Sequence, residues 1–242
     1  MAIPLVSLNI AIASAMLIFT SYLDLRKREV EDKVWIIFGT IGLFIEAYET
    51  LIGSTEILSI VISVGLAAVV GFGVFYFGLY GGADAKALVV LAILVPNFEP
   101  HVGIYPITPL IVLTNGVLLS MSLPICLLVL NASRLLRGQR IFEGFQGESL
   151  PRKLLACFLG YKSNGKPKDF QFSMENKQLT SQIHPSQRRF DFGFMKDEFE
   201  SEPGTWVTPG LPLLVFFTVG FFVLLIYGDL VIGLVAFFSG LI

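Results

Sequence analysis

Charge is scarce in this chain. Only 15% of its 242 residues are Asp, Glu, Lys or Arg, against 54% hydrophobic, where a soluble domain carries about a quarter charged residues. With a mean hydropathy of +0.74, that shortage excludes an ordinary soluble fold and points to an integral membrane protein. Cysteine is nearly absent. Cys126 lies in an apolar run and Cys157 in a basic region; neither position suits a disulfide, and without a CxxC pair they make no metal or redox motif. Histidine is as rare: His101 and His184 each stand alone, so no metal site is expected. The net charge of −2 leaves no basic surplus to hold a phosphate backbone, and nucleic acid is not an expected partner.

What is abundant is long apolar runs. Six stand out, at about 4–23, 34–52, 57–79, 85–96, 107–130 and 210–228. A span needs roughly 20 apolar residues to cross about 30 Å of hydrocarbon, so all but the fourth have a suitable length. No positive charge precedes the first run and a basic cluster follows it, the pattern of a span and not of a cleaved signal. The 17 Lys and Arg settle the orientation. Arg26, Lys27, Arg28 and Lys33 follow the first run, Lys86 starts the fourth, and the others lie between Arg134 and Lys196. Six crossings put every one of them on one side, which the positive-inside rule makes cytosolic. The expected fold is therefore an all-α polytopic membrane protein of six transmembrane helices in the plasma membrane, with both termini outside. Trp35 and Trp206 fall at expected cytosolic interfaces, where indoles commonly anchor. Asn131–Ala132–Ser133 fits a glycosylation pattern but sits at that same cytosolic interface, where it is a chance match.

The division by composition is 1–133, five helices; 134–207, a cytosolic soluble module; and 208–242, the sixth helix. In the module, Phe170, Phe172 and Met174 alternate with polar residues, as do Phe190, Phe192 and Phe194. A period of two argues for two short strands with one buried face. Asn164–Gly165 reads as a turn before the first, and 175–187 as a mobile link. About seventy residues with two short strands make a marginal core that leans on the helices or the membrane surface.

Acidic groups in or near a bilayer are costly and usually functional. The candidates are Asp24, Glu46, Asp84 and Asp229. Asp24 ends the first run and Asp84 follows the third, so both fall at the cytosolic boundary. Glu46 lies towards the outer half and Asp229 at the outer face. The short fourth run, about 18 Å as a helix, reaches the outer face only by starting inside the membrane, which sets Asp84 in a recess behind Gly81, Gly82 and Ala83. Small residues there allow close approach and unusual backbone angles. Lys86, two positions on, turns to another helix face and reaches for the cytosol. The alternative is that Asp24 pairs with Arg26 or Arg28 and that "GGAD" is a turn with a capping Asp. Two carboxylates held close cannot both ionise readily, so one stays protonated while the other activates water. The same pair could instead serve a proton- or cation-coupled transporter.

"GGADAK" resembles the GxGD signature of intramembrane aspartic proteases, and "DLRKREVEDKVW" resembles the first catalytic-aspartate segment of the type IV prepilin peptidase branch. Six spans with a cytosolic insertion before a closing "WVTPGLP" span resemble the archaeal preflagellin peptidases within it. The resemblance covers nearly the whole chain. It implies Asp24 and Asp84 as the catalytic aspartates and Gly81 as the first motif glycine; the second is replaced by Ala83, which keeps the small size. It implies an aspartic endopeptidase with no metal or organic cofactor. The implied substrate is a preflagellin or pilin-like precursor, whose short basic leader precedes a hydrophobic helix and is cut at the cytosolic membrane edge. The zinc-type CxxC region of bacterial relatives is absent, so N-methylation is not implied. Glu29, Glu31 and Asp32 follow Asp24 closely. They are either solvated partners of Arg26, Arg28 and Lys33 or an acidic cluster that attracts the leader.

Overall fold

The computed structural model describes residues 2–53, 55–78, 80–99, 101–103, 106–163, 170–175, 188–192 and 204–240. Helices cover the six apolar runs, and two more lie outside them, α7 and α9: α1 (Ala2–Lys27), α2 (Asp32–Leu51), α3 (Ile57–Tyr76), α4 (Gly82–Leu94), α5 (Thr108–Ser120), α6 (Ser122–Leu136), α7 (Leu150–Leu159), α8 (Leu213–Ile226) and α9 (Leu230–Ser239). Three short strands, β1 (Tyr161–Lys162), β2 (Gln171–Ser173) and β3 (Trp206–Pro209), precede α8. A mostly helical membrane protein with a small sheet was the expected class. Among the described residues, four stretches are long and apolar enough to span, against the six expected: Val6–Lys27, Asp32–Leu51, Ile57–Tyr76 and Thr108–Leu136. α8 and α9 are apolar but shorter. Residues 1–120 and 212–242 form one compact unit, and 121–211 a second.

The first unit is built around α4. Its sequence is apolar on every side, the mark of an interior helix, and it packs on α1, α2, α3, α5 and α8. Ala85, Leu88, Leu91, Ala92 and Leu94 are sealed from solvent. Small residues let the neighbours in: a Cβ on Gly42 of α2 would stand 3.0 Å from Ile93 and Leu94. The α5–α8 contact is closer still, since a Cβ on Gly220 would fall 2.9 Å from the Gly116 amide nitrogen. Hydroxyls join α1 to α8, with Ser21 Oγ 2.6 Å from Thr218 Oγ1 and Thr218 Oγ1 donating to the Leu17 carbonyl at 3.0 Å. Interhelical bonds of this kind, with small residues, hold membrane bundles where lipid offers no hydrophobic drive.

Past residue 228 the chain turns and forms α9, a helix beyond the sixth apolar run. Asp229 caps that helix, its Oδ1 accepting from the amides of Val231 at 2.8 Å and Ile232 at 3.2 Å, which satisfies donors that would otherwise be orphaned. Buried Asn115 fixes the turn by donating to the carbonyls of Gly220 and Gly228 and accepting from the Leu230 amide at 2.9 Å.

The second unit packs α6 on α7 beside an antiparallel sheet of order β1-β3-β2, with Lys162 opposite Trp206 and Phe172 opposite Thr208. Its core is aromatic: Phe145 and Phe190 stack at 4.3 Å and Phe142 and Trp206 at 5.4 Å. Three expectations need correction. Trp206 is no interfacial anchor; it is fully buried, and its indole donates to the Ile141 carbonyl at 3.0 Å. Trp35 likewise is buried in the core of the first unit. The expected strand at 170–174 forms and pairs with β3, but 190–192 forms no strand, only a single bridge from Glu175 to Phe190. The partner strand escaped notice because Trp206–Pro209 carries no period of two and ends in proline. The Asn131 side chain is buried and donates to the carbonyls of Cys157 and Gly160 at 3.1 and 2.7 Å, which tethers the end of α7 to α6. Phe194, His184, Asn164–Gly165 and 176–187 lie outside the described residues.

Candidate functional site

Asp24 and Asp84 lie on two helices, α1 and α4, that pack on each other. Asp24 stands in the last turn of α1 and Asp84 in the first turn of α4. Sixty residues separate them in sequence, yet Asp84 lies within electrostatic reach of both Asp24 and Arg28. Asp84 is 8% exposed, and the Asp24 side chain 16%. The Ser21–Thr218 bond, one turn before Asp24, fixes this end of α1 against α8.

Asp84 is also held by its own turn. Gly81 is the N-cap of α4, and its amide donates to Asp84 Oδ2 at 3.0 Å. The backbone there is unexceptional, with φ −79° at Gly81, so neither Gly81 nor Gly82 is used for a forbidden angle. Their use is size: a Cβ on Gly81 would lie 3.4 Å from the Asp84 carboxylate, and one on Gly82 3.6 Å from the Phe75 ring. Ala83 is partly buried against the core. The glycine that needs its conformational freedom is Gly78, at φ 69°, where the chain leaves α3. Tyr80 then ties the turn back to α3, its hydroxyl donating to the Gly71 carbonyl at 2.7 Å.

Arg28 is the residue the sequence reading underrated. It adopts φ 54°, its amide closes α1 on the Asp24 carbonyl at 3.0 Å, and its guanidinium stands 3.9 Å from Asp24 Oδ2. A non-glycine residue in the left-handed region is uncommon and clusters at functional sites. The only sequence signal was its i,i+4 spacing from Asp24, noted there as a possible pairing.

Glu29, Glu31 and Asp32 are exposed, as expected of either reading. Asp32 does not pair with Arg28 or Lys33; it meets Lys86 at 2.5 Å, with both groups substantially exposed. That contact also gives Lys86 its partner. Glu46 is fourteen residues beyond Asp32 along α2, about 21 Å, and takes no part in the site. Among the described residues no group of three or more His, Cys, Asp or Glu has the arrangement to hold a metal ion. Two carboxylates, a nearby guanidinium and little solvent exposure are the elements of acid–base activation of water.

Residues 11–131 match the type IV leader peptidase family. Along most of its length the chain is similar to three proteins named preflagellin peptidase. That of Methanococcus maripaludis is 27% identical over 88% of this chain and 92% of its own. That of Methanocaldococcus jannaschii is 26% identical over 94% and 97%, and that of Methanococcus voltae 26% over 93% and 97%. None of the three is a transporter by name.

Proposed function

The chain belongs to the type IV leader peptidase family, and on that premise we propose that Asp24 and Asp84 are its catalytic carboxylates and a preflagellin or pilin-like precursor its substrate. As a member of that family it is a membrane-embedded peptidase that removes leader peptides. The observation that supports the site assignment is a buried aspartate and a partly buried one on packed helices, with Asp84 within electrostatic reach of Asp24. In this reading the ionised carboxylate takes a proton from water, and the resulting hydroxide attacks the scissile carbonyl. The protonated partner supports the carbonyl oxygen as its charge develops and supplies the proton that the leaving amine needs. The pair shares one proton because two close carboxylates cannot both ionise.

The topology of this reading places α1 to end at the cytosolic face, with Arg26, Arg28 and the exposed Glu29 and Glu31 beside the site. The short α4 rises from a recess, α8 makes the final crossing, and both termini lie outside. A precursor with a short basic leader and a hydrophobic helix then presents its cleavage point at the level of Asp24 and Asp84. The test is cleavage of a preflagellin precursor by membranes carrying the wild type, Asp24→Asn or Asp84→Asn, with Glu46→Gln as control. Both aspartate variants are expected to be inactive and the control active; substantial turnover by either aspartate variant removes the assignment.

A further inference from the structure

The outward face of α7 is apolar. Its inner side, with Ala156 and Cys157, is buried in the aromatic core of the second unit. Six of its residues are exposed: Leu150, Pro151, Arg152, Leu154, Leu155 and Phe158. Only Arg152 among them is polar, and it is already engaged, bonding Glu148 at 2.9 Å and standing over the Phe192 ring. Leu150, Leu154 and Phe158 follow at intervals of four and so form one stripe, exposed by 73%, 51% and 39%. A helix on the surface of a soluble unit turns polar residues outward, and a contiguous apolar patch marks a contact surface.

The packing of α7 on α6 shows what covers that face. Both helices belong to the second unit, and α6 closes the apolar span Thr108–Leu136. The Asn131 amide donates to the carbonyls of Cys157 and Gly160 at 3.1 and 2.7 Å, which sets the C-terminal end of α7 at the depth of Asn131. That residue stands five positions before the end of the span, about 8 Å along the helix. An amphipathic helix in a membrane surface seats its apolar face about 5–10 Å into the headgroup–acyl boundary. The two depths agree. Ten residues of helix measure about 15 Å, too short to cross the bilayer. The segment 134–153 also carries five Lys and Arg against two Glu, with Arg137 and Arg140 exposed just past the span.

We propose that α7 is an in-plane membrane helix that seats the second unit on an anionic phospholipid surface. Leu150, Leu154, Leu155 and Phe158 enter the acyl boundary, and Arg137 and Arg140 meet the headgroup phosphates. The inference rests on Thr108–Leu136 crossing the bilayer. Apolar burial alone would hold α7 to any lipid; the basic segment makes the anionic surface the preferred one, at about fivefold in partition for each charge near it.

The experiment places a nitroxide label on the full chain in phosphatidylglycerol nanodiscs. It reads collisions with oxygen, which enters lipid, and with a nickel chelate, which stays in water. Cys126 is exposed within the span and Cys157 is buried, so the wild type labelled at Cys126 supplies the lipid reference. Leu154→Cys and Phe158→Cys, each combined with Cys126→Ser, change exposed side chains and should fold. Both labels are expected to collide with oxygen and not with nickel, as Cys126 does. Hydrogen exchange of the α7 amides should be slower in phosphatidylglycerol than in phosphatidylcholine discs. Arg137→Gln/Arg140→Gln should weaken that protection by about thirtyfold for two charges. Nickel collisions at both α7 labels would put the face in water and overturn the proposal. Labels reached by neither reagent would mean that protein covers it, a second copy or the first unit, and overturn it equally. Nickel access at Cys126 would remove the span and the proposal with it. Equal exchange in the two lipids would overturn the anionic surface as partner.

Discussion

Asp84→Asn separates catalysis from folding more cleanly than any other change at the site. The Asp84 carboxylate accepts one backbone hydrogen bond, from Gly81 at 3.0 Å, and an asparagine Oδ1 of the same shape can accept it too. The substitution also removes a charge that is 8% exposed, so the unfolding midpoint should stay equal or rise slightly. Loss of a positioned acid or base costs about 10²–10⁴ in rate; at 10³ that is about 4 kcal/mol of barrier. Asp84→Ala, by contrast, deletes the acceptor as well, at about 1 kcal/mol, and should lower the midpoint by about 2–4 °C. Single-turnover cleavage of a preflagellin precursor in membranes measures the first effect and thermal unfolding the second. The reasoning fails if Asp84→Asn cleaves within tenfold of the wild type, or if its midpoint drops as far as that of Asp84→Ala.

Four further outcomes are expected. Arg28→Gly relieves a left-handed backbone that costs an L-residue about 1–2 kcal/mol and loses an ion pair worth about 0–1 kcal/mol at 3.9 Å; stability should change little while kcat/KM falls at least about tenfold. Neutralising Glu29, Glu31 and Asp32 together should raise KM for basic-leader substrates, more at low salt than at high, because exposed charges are screened over about 8 Å at physiological salt; a leader with Gln for Lys and Arg should be indifferent to the change. Gly160→Ala would put a Cβ 2.3 Å from the Val207 carbonyl oxygen and from Met174 Sδ, and since the backbone carbonyl cannot swing aside, the second unit should lose about 1–3 kcal/mol or more on overpacking, read as early proteolysis of 121–211. Cys157 is buried and its thiol is pushed above the ordinary range by that burial, so maleimide should label it only after denaturation.

How much of this was legible in the sequence depended on whether the signal was local. Apolar runs gave the helices, because hydrocarbon demands length and composition that no other context imposes. α4 was recognised as short, yet its burial among five helices could not be read from a segment whose residues are equally apolar on all faces. The α8–α9 turn was missed since its determinants are distant: Asn115 and Val102 lie more than a hundred residues from Gly228 and Asp229. The sheet of the second unit was hidden for the same reason: alternation marked 170–174 as a strand, but its partner β3 lies about thirty residues on, and Trp206 fills the core it closes. In the site, the level of Asp24 and Asp84 followed from counting residues along helices of fixed rise. The Lys86–Asp32 contact joins two elements and had no local signature.

Asp84 shows why the two readings weighed for "GGAD" do not compete. A carboxylate at the third position of a helix is drawn to the N-cap amide and to the positive end of the helix dipole, and Asp84 makes that bond to Gly81. The same bond fixes the direction in which the carboxylate points and leaves Oδ1 entirely for other partners. Glycine at 81 keeps bulk away from it: a methyl group there would already be in van der Waals contact with the carboxylate at 3.4 Å, and a longer side chain would cover it. A capping aspartate on a surface helix would need no such clearance, and the cap would work equally well behind a serine or threonine. If Asp84 is the catalytic carboxylate proposed above, small residues before it serve access to water and a peptide bond, a use that the turn alone does not call for.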